Sequence, residues 1–390
     1  MEHAKLFSLE IVDTIEKISK IKHFWESIQC HPNTDIDLYL SYLNNNNTKT
    51  PYVFIIYDNS SYQPISMLIC RFENIEYKIN LGYKSLFSIN IKQLSILYEG
   101  IMGERNPVIF KLYLDHIYKM MKKGIFDAIY FSHLNLDPEN LNLIINFPSS
   151  FLKDRHPSQT LHYRTSAAES LDDFFKRLGK KSRHNIRRTI RILESSFNNV
   201  EYKCFNSISN IEKVSADIES IASKTYHRGL QTGFILNSEF YDRLKIAATK
   251  GILEAYVLYV NEMPASFWLA FRYSDILFLD STGYDPAYSD YEVGTILLIH
   301  IIKEISDDKK IKYIDYGFGD ASYKKKYADI NWVETTFYFF SPTVKGIFIN
   351  IVSSLLKYMI RILKSVLKQY QLDNKIKKIW RKKMIRSMNQ

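Results

Sequence analysis

An apolar, strand-like run at residues 276–279 enters the polar turn Asp280-Ser281-Thr282-Gly283-Tyr284-Asp285-Pro286, and an apolar helical run, 293–305, leaves it with Gly294 in its first turn. A strand that hands over to a helix through so long a polar turn leaves the helix's first N–H groups without intrahelical acceptors. Such a helix start is an anion site, and glycine lets a ligand approach the backbone closely. Strand-like runs at 253–260 and 265–273 precede the turn, joined at Asn261-Glu262-Met263-Pro264; a strand at 311–316, a short helix at 323–328 and a last strand at 332–340 follow it. The first half has the same order: strands at 52–57 and 65–72, a strand at 93–98, a glycine-containing loop at 99–104, a helix entered by Pro107 over 108–121, and a strand at 126–131. This repetition predicts a duplicated α+β module.

Helical spacing also appears at 15–25 and 35–43, and again between the halves at 171–193, 211–226 and 238–248. These helices ahead of each meander read as part of the α+β units, and the chain divides into 1–160, 161–340 and a tail, 341–390.

At 390 residues, 46% hydrophobic and 24% charged, the chain has the composition of a globular protein with room for two cores. The three cysteines, Cys30, Cys70 and Cys204, form no paired motif, which fits a reducing compartment and no structural zinc. The first residues carry an acid and no long apolar core, so a cytoplasmic protein is expected. The net charge of +10 is uneven. From Ser341 onward there are twelve Lys/Arg and one acid, Asp373, a net of +11 that leaves about −1 for residues 1–340. The basic pI therefore describes the tail, and it is no argument for nucleic-acid binding by the folded body.

Three sets of residues, in order, carry a family likeness: Lys180-Lys181-Ser182-Arg183-His184-Asn185-Ile186-Arg187-Arg188; Tyr284-Asp285-Pro286 with Val293-Gly294-Thr295; and Asp315-Tyr316-Gly317-Phe318-Gly319 with Tyr323-Lys324. Together they resemble the GNAT-superfamily acyltransferases of the FemAB/CelD type, which include BioF2-like acetyltransferase domains. The likeness covers about residues 160–340 by motif and the N-terminal half by layout. It implies tandem GNAT-like modules with mixed, mostly antiparallel sheets, and transfer of an acyl or aminoacyl group to an amine. The family's phosphate loop has Gln/Arg-x-x-Gly-x-Gly/Ala; here Tyr291-Glu292-Val293-Gly294-Thr295-Ile296 keeps one glycine.

On that resemblance the donor is acetyl-CoA or another acyl-CoA, its pyrophosphate held at Tyr291, Val293, Gly294, Thr295 and Ile296, with no metal. The reaction needs a base for the amine and an acid for the leaving thiolate. Asp280 and Asp315, at the ends of two neighbouring strands, are the carboxylate candidates, and each equally suits a turn or cap role. Tyr323 is the candidate acid, against a core aromatic among 28 tyrosines. Arg183 and Arg187 share a helix face with Arg191 and suit an anionic partner, or a solvated face. His227 and Arg228 suit acceptor contact, and Lys324 suits phosphate or an acidic acceptor.

The leading expectation is an N-acyltransferase acting on an amino sugar or an envelope polysaccharide precursor. The alternatives are a Fem-like aminoacyl-tRNA-dependent aminoacyltransferase and a catalytically idle accessory protein of polysaccharide synthesis. In the tail, apolar residues recur at helical spacing from Phe348 to Leu367 with cations between them, a basic amphipathic helix. It either lies on an anionic inner membrane face or docks on the body with a basic end.

Overall fold

The computed structural model describes residues 6–46, 48–81, 84–147, 152–225, 228 and 233–369. The chain divides into two units: residues up to Thr160 together with those from Val333, and residues Leu161–Trp332.

In the first unit the sheet begins with β1 (Phe7–Val12), β2 (Lys49–Asp58), β3 (Gln63–Leu81) and β4 (Lys84–Gly103), an antiparallel meander. Next comes β5 (Ala128–Leu134), parallel to β4, and β12 (Ile330–Phe340), antiparallel to β5. Alternation along β2 and β3 sorts their side chains between two cores. Val53, Ile55, Met67 and Ile69 pack under α1 (Ile15–Ile28) and α2 (Ile36–Asn44). Phe54, Ile56, Leu68 and Cys70 pack under α3 (Pro107–Lys122), and α4 (Pro138–Asn146) adds Ile144 to the same core.

The second unit repeats this plan. Strands β7 (Val200–Phe205), β8 (Leu253–Val260), β9 (Met263–Tyr273) and β10 (Ile276–Tyr284) form the antiparallel meander. Then β11 (Tyr313–Phe318) runs parallel to β10, and β6 (Ser158–Ser166) antiparallel to β11. One face carries α7 (Ile211–Ala222) and α8 (Ser238–Thr249) over Ala255, Val257, Phe267 and Leu269. The other carries α5 (Leu171–Arg177), α6 (Lys180–Ser196) and α9 (Val293–Asp307) over Tyr256, Leu258, Trp268 and Ala270. A short helix, α10 (Ser322–Tyr327), follows β11. The fold is therefore the duplicated α+β arrangement expected, with mostly antiparallel sheets.

Each unit takes its sixth strand from the other half of the sequence. The segment after α4 supplies β6 to the second unit, and the segment after α10 supplies most of β12 to the first. The strands expected at 65–72 and 93–98 also run much further, into a long hairpin. Polar residues such as Glu76 and Lys78 interrupt the apolar pattern there. Ile75, Tyr77, Ile89 and Ile91 nevertheless share one face, which packs against α11 (Val344–Gln369) through Ile349.

Candidate active site

The parallel pairing of β10 with β11 covers Ile276↔Tyr313, Leu277↔Ile314 and Phe278↔Asp315, and stops there. Beyond Phe278, β10 continues along β9 to Tyr284 while β11 turns along β6. The sheet therefore splays, and the edge of β10 that faced β11 is left without a strand partner. A pocket of about 360 Å³ borders this opening, lined by Thr225, Trp268, Thr282–Tyr284, Pro286, Gly294, Thr295, Leu298 and Tyr323.

Helix α9 starts against it. The residue before the helix, Glu292, is left-handed (φ 48°, ψ 37°), exposed, and makes no side-chain cap. Its carbonyl takes the Thr295 and Ile296 amides (2.9 and 3.1 Å), so the Val293 and Gly294 N–H groups have no protein acceptor among the described residues. Uncapped first-turn amides at the positive end of a helix are anion donors. The Ser266 hydroxyl and the Trp268 indole donate to the Val293 and Gly294 carbonyls (3.1 and 3.4 Å), fixing the helix start to β9. The matching helix in the first unit differs: Asn106 caps α3 by accepting from the Ile109 amide (3.0 Å), and Pro107 removes a donor. Of these two helix starts, the second unit's is the one without a side-chain cap.

The two glycines act differently. A Cβ on Gly283 would meet the Phe267 ring at 2.7 Å and Thr225 at 3.2 Å, so the strand needs glycine for packing. A Cβ on Gly294 would find only Tyr284 at 3.7 Å, so there glycine keeps the pocket open. Ahead of the helix, Asp285 shapes the turn at Pro286–Tyr291. It accepts from the Ala287 amide (3.0 Å) and from Lys224 (2.6 Å). Burial works to raise its pKa, but these two donors hold it below the usual carboxylate value.

The carboxylates expected as bases are both engaged, and neither lines the pocket. Asp280 is the extra residue of a bulge in β10 and accepts from Arg243 of α8 at 2.7 Å. Asp315 is 2% exposed; its Oδ2 accepts from Nε and Nη2 of Arg164 (3.0 and 2.8 Å), and its Oδ1 accepts the Gly317 amide (2.8 Å) and lies 2.6 Å from His162 Nε2. Burial alone would raise its pKa; His162 and Arg164 outweigh it and keep the carboxyl below its ordinary value. His162 in turn stacks on Trp332 at 4.2 Å. This cluster ties β11 to β6.

The other expected residues divide clearly. Tyr323 lines the pocket, edge-on to Trp268 at 5.6 Å, and Gly294 and Thr295 line it too. Val293 and Ile296 are core side chains, able to offer a ligand only their backbone, and Tyr291 packs on Phe197 at 4.9 Å. Lys324 is nearly buried and donates to the Phe318 carbonyl (2.6 Å); burial lowers its pKa to about 8 against a weaker opposing pull from Asp315. Arg187 pairs with Asp172 at 3.1 Å on the exposed side of α6. Lys180, Lys181, Arg183, Arg188 and Arg191 of that helix have no acid partner among the described residues. Arg228 clasps Glu219 (2.6 Å), which also accepts the Leu236 amide. His227 lies outside the described residues.

Sequence reasoning did not single out Thr225, Trp268 or Leu298, and named Thr282 and Tyr284 only as part of the turn. Trp268 pairs with Thr282 across β9 and β10, a register visible only once the strands are assembled.

Residues 180–325 match a family model described as an acetyltransferase (GNAT) domain. A search of curated proteins returns no match. Among solved structures, the chain is similar in fold to FemX, with a TM-score of 0.53 at 11% identity over 85% of this chain and 97% of that one. It is also similar to the C-terminal domain (DUF2156) of a putative lysylphosphatidylglycerol synthetase from Agrobacterium fabrum, with a TM-score of 0.50 at 9% identity over 87% and 96% of the two chains. A tandem GNAT protein from the clavulanic acid biosynthesis pathway aligns with a TM-score of 0.48 at 7% identity over 86% and 99%.

Proposed function

We propose that this chain, which carries a GNAT acetyltransferase domain at residues 180–325, is an N-acyltransferase moving an acyl group, with acetyl as the first candidate, from acyl-CoA to an amine. The observation that carries the reading is the uncapped start of α9 beside the splay of β10 and β11. In this reading the Val293 and Gly294 amides, with the Thr295 hydroxyl, take the diphosphate. The unpaired edge of β10 beyond Phe278 hydrogen-bonds the donor's amide-containing arm as an added strand. That places the thioester near Thr282–Tyr284.

The amine nitrogen attacks the thioester carbonyl carbon, the carbon–sulfur bond breaks, and the thiolate takes a proton. Among the described residues the pocket's titratable side chains are Tyr284 and Tyr323, and Tyr323 is assigned the proton donor. With Asp280 and Asp315 held by arginines, the amine's proton leaves through water, and both carboxylates act as positioning residues. A thiolate is a good leaving group, so orientation supplies much of the rate. The acceptor proposed is an amino sugar or an envelope polysaccharide precursor, as the family likeness suggests.

The uncompensated cations of α6, which packs beside α9 and the Pro286–Tyr291 turn, favour one second reading. A polyanionic donor such as aminoacyl-tRNA would use them.

Thermal-shift measurements with coenzyme A, acetyl-CoA and aminoacyl-tRNA test the assignment. A ligand at 100 times its Kd stabilises the native state by about 2.7 kcal/mol. Coenzyme A and acetyl-CoA should raise the melting temperature by several degrees. A shift with aminoacyl-tRNA alone moves the assignment to the second reading, and no shift with any donor leaves the fold without its chemistry.

A further inference from the structure

Helix α11 is mounted with its apolar side outward. The side against the first unit buries Ile349 together with the polar Asn350, Ser353 and Ser354. Asn350 donates to the Lys153 carbonyl (3.1 Å), Ser353 to the Tyr77 hydroxyl (3.3 Å), and Lys357 to Asp154 (2.6 Å). The opposite side carries Phe348, Ile351, Leu355, Tyr358, Met359 and Ile362, each 45–58% exposed. A stripe of this size on a soluble surface marks an interaction site. Along the helix, Lys345 and Lys357 are bound to Asp127 and Asp154 at its inner margin, while Arg361 has no acid partner among the described residues. The sequence holds no acid between Ser341 and Leu372, and seven Lys/Arg fall between Lys375 and Arg386.

We propose that the outward face of α11 docks on an anionic lipid bilayer, the helix lying in the plane of the interface. An apolar face with Arg361 near its edge and a basic run after it fits that surface. Among the described residues no helix is long and apolar enough to cross a membrane. The three-and-four spacing from Phe348 to Ile362 also resembles a coiled-coil seam. Pairing two copies would bring Arg361 and the basic runs that follow it together, and the sequence offers no acid between Ser341 and Leu372 to balance them, which favours the lipid surface. The proposal stands apart from the donor reading, since α11 belongs to the first unit.

The test is flotation of the full chain with vesicles of phosphatidylcholine, alone or mixed with phosphatidylglycerol. Binding to the mixed vesicles should exceed binding to the neutral ones by about tenfold or more and weaken with salt. The Leu355→Glu/Met359→Glu variant should lose that binding by about tenfold at an unchanged melting temperature, since both side chains are more than half exposed. Ile351→Ser/Leu355→Ser, a milder pair, should lose it in part. The absence of flotation with mixed vesicles, or equal flotation of both variants, overturns the proposal. So does a concentration-dependent dimer that the Glu pair abolishes, which would assign the face to a second copy.

Discussion

Two glycines a short distance apart make opposite demands, and substitution separates them. At Gly294 an added Cβ meets only the Tyr284 ring, at 3.7 Å, and Gly294 lines the pocket. Gly294→Leu should therefore melt within a few degrees of the parent yet lose its response to coenzyme A; a retained response would remove the phosphate assignment from α9. At Gly283 even a methyl group strikes the buried Phe267 ring. Gly283→Ala should lose about 1–3 kcal/mol in denaturant unfolding, the usual cost of overpacking. Tyr323→Phe preserves the ring contact with Trp268 and removes only the hydroxyl. If that hydroxyl protonates the thiolate, kcat should fall by about a hundredfold with little change in KM, the range of general acid catalysis. An unchanged kcat would return Tyr323 to a packing role. Among these residues Gly294, Thr295 and Tyr323 could be picked from the sequence because each sits in or just after a motif. Trp268 and Thr225 could not, since nothing local ties them to the turn.

At the scale of elements, the anchor between β11 and β6 is a buried carboxylate shared by Arg164 and His162. Removing one member of such a cluster strands the others away from water, so Asp315→Asn should cost about 3 kcal/mol or more in denaturant unfolding. A cost below about 1 kcal/mol would mean that the cluster is solvated. Lys324 on α10 gives a pH signature. Its folded pKa, about 8, lies below the ordinary lysine value of 10.5, so the unfolded chain binds more protons between these values. Its contribution to stability therefore rises as pH climbs from 8 toward 10.5, and its burial penalty is full below 8. The melting temperature of the native chain relative to Lys324→Met should increase over that window. A flat difference would show that the amine is not desolvated. From the sequence, the strand-end positions of Asp280 and Asp315 were readable and their partners were not. Arg243 lies 37 residues before Asp280, and His162 lies 153 residues before Asp315.

For the whole molecule, the exchange of sixth strands ties the stability of the N-terminal unit to residues near the other end of the chain. A chain ending at Trp332 would lack the strand that pairs with β5 through Phe337 to Phe340. It would expose Phe131, Phe337's stacking partner at 4.6 Å, and leave β5 as an edge. Hydrogen exchange should then accelerate in β5 and α3 of the first unit while β8 and β9 of the second stay protected. Unchanged protection in β5 would show that β12 is dispensable.

The sequence by itself determined three strands of each meander, the helix after each, and the glycine at the second helix start, but not the first strands, β1 and β7. Apolar periodicity and turn chemistry are local, so they can be read along the chain. It also indicated the amphipathic tail helix. Only the tertiary structure decided which way that helix faces, where the parallel strands part, and which carboxylates are bound to arginine. Those outcomes depend on pairing between residues distant in the chain, and no local pattern encodes the partner.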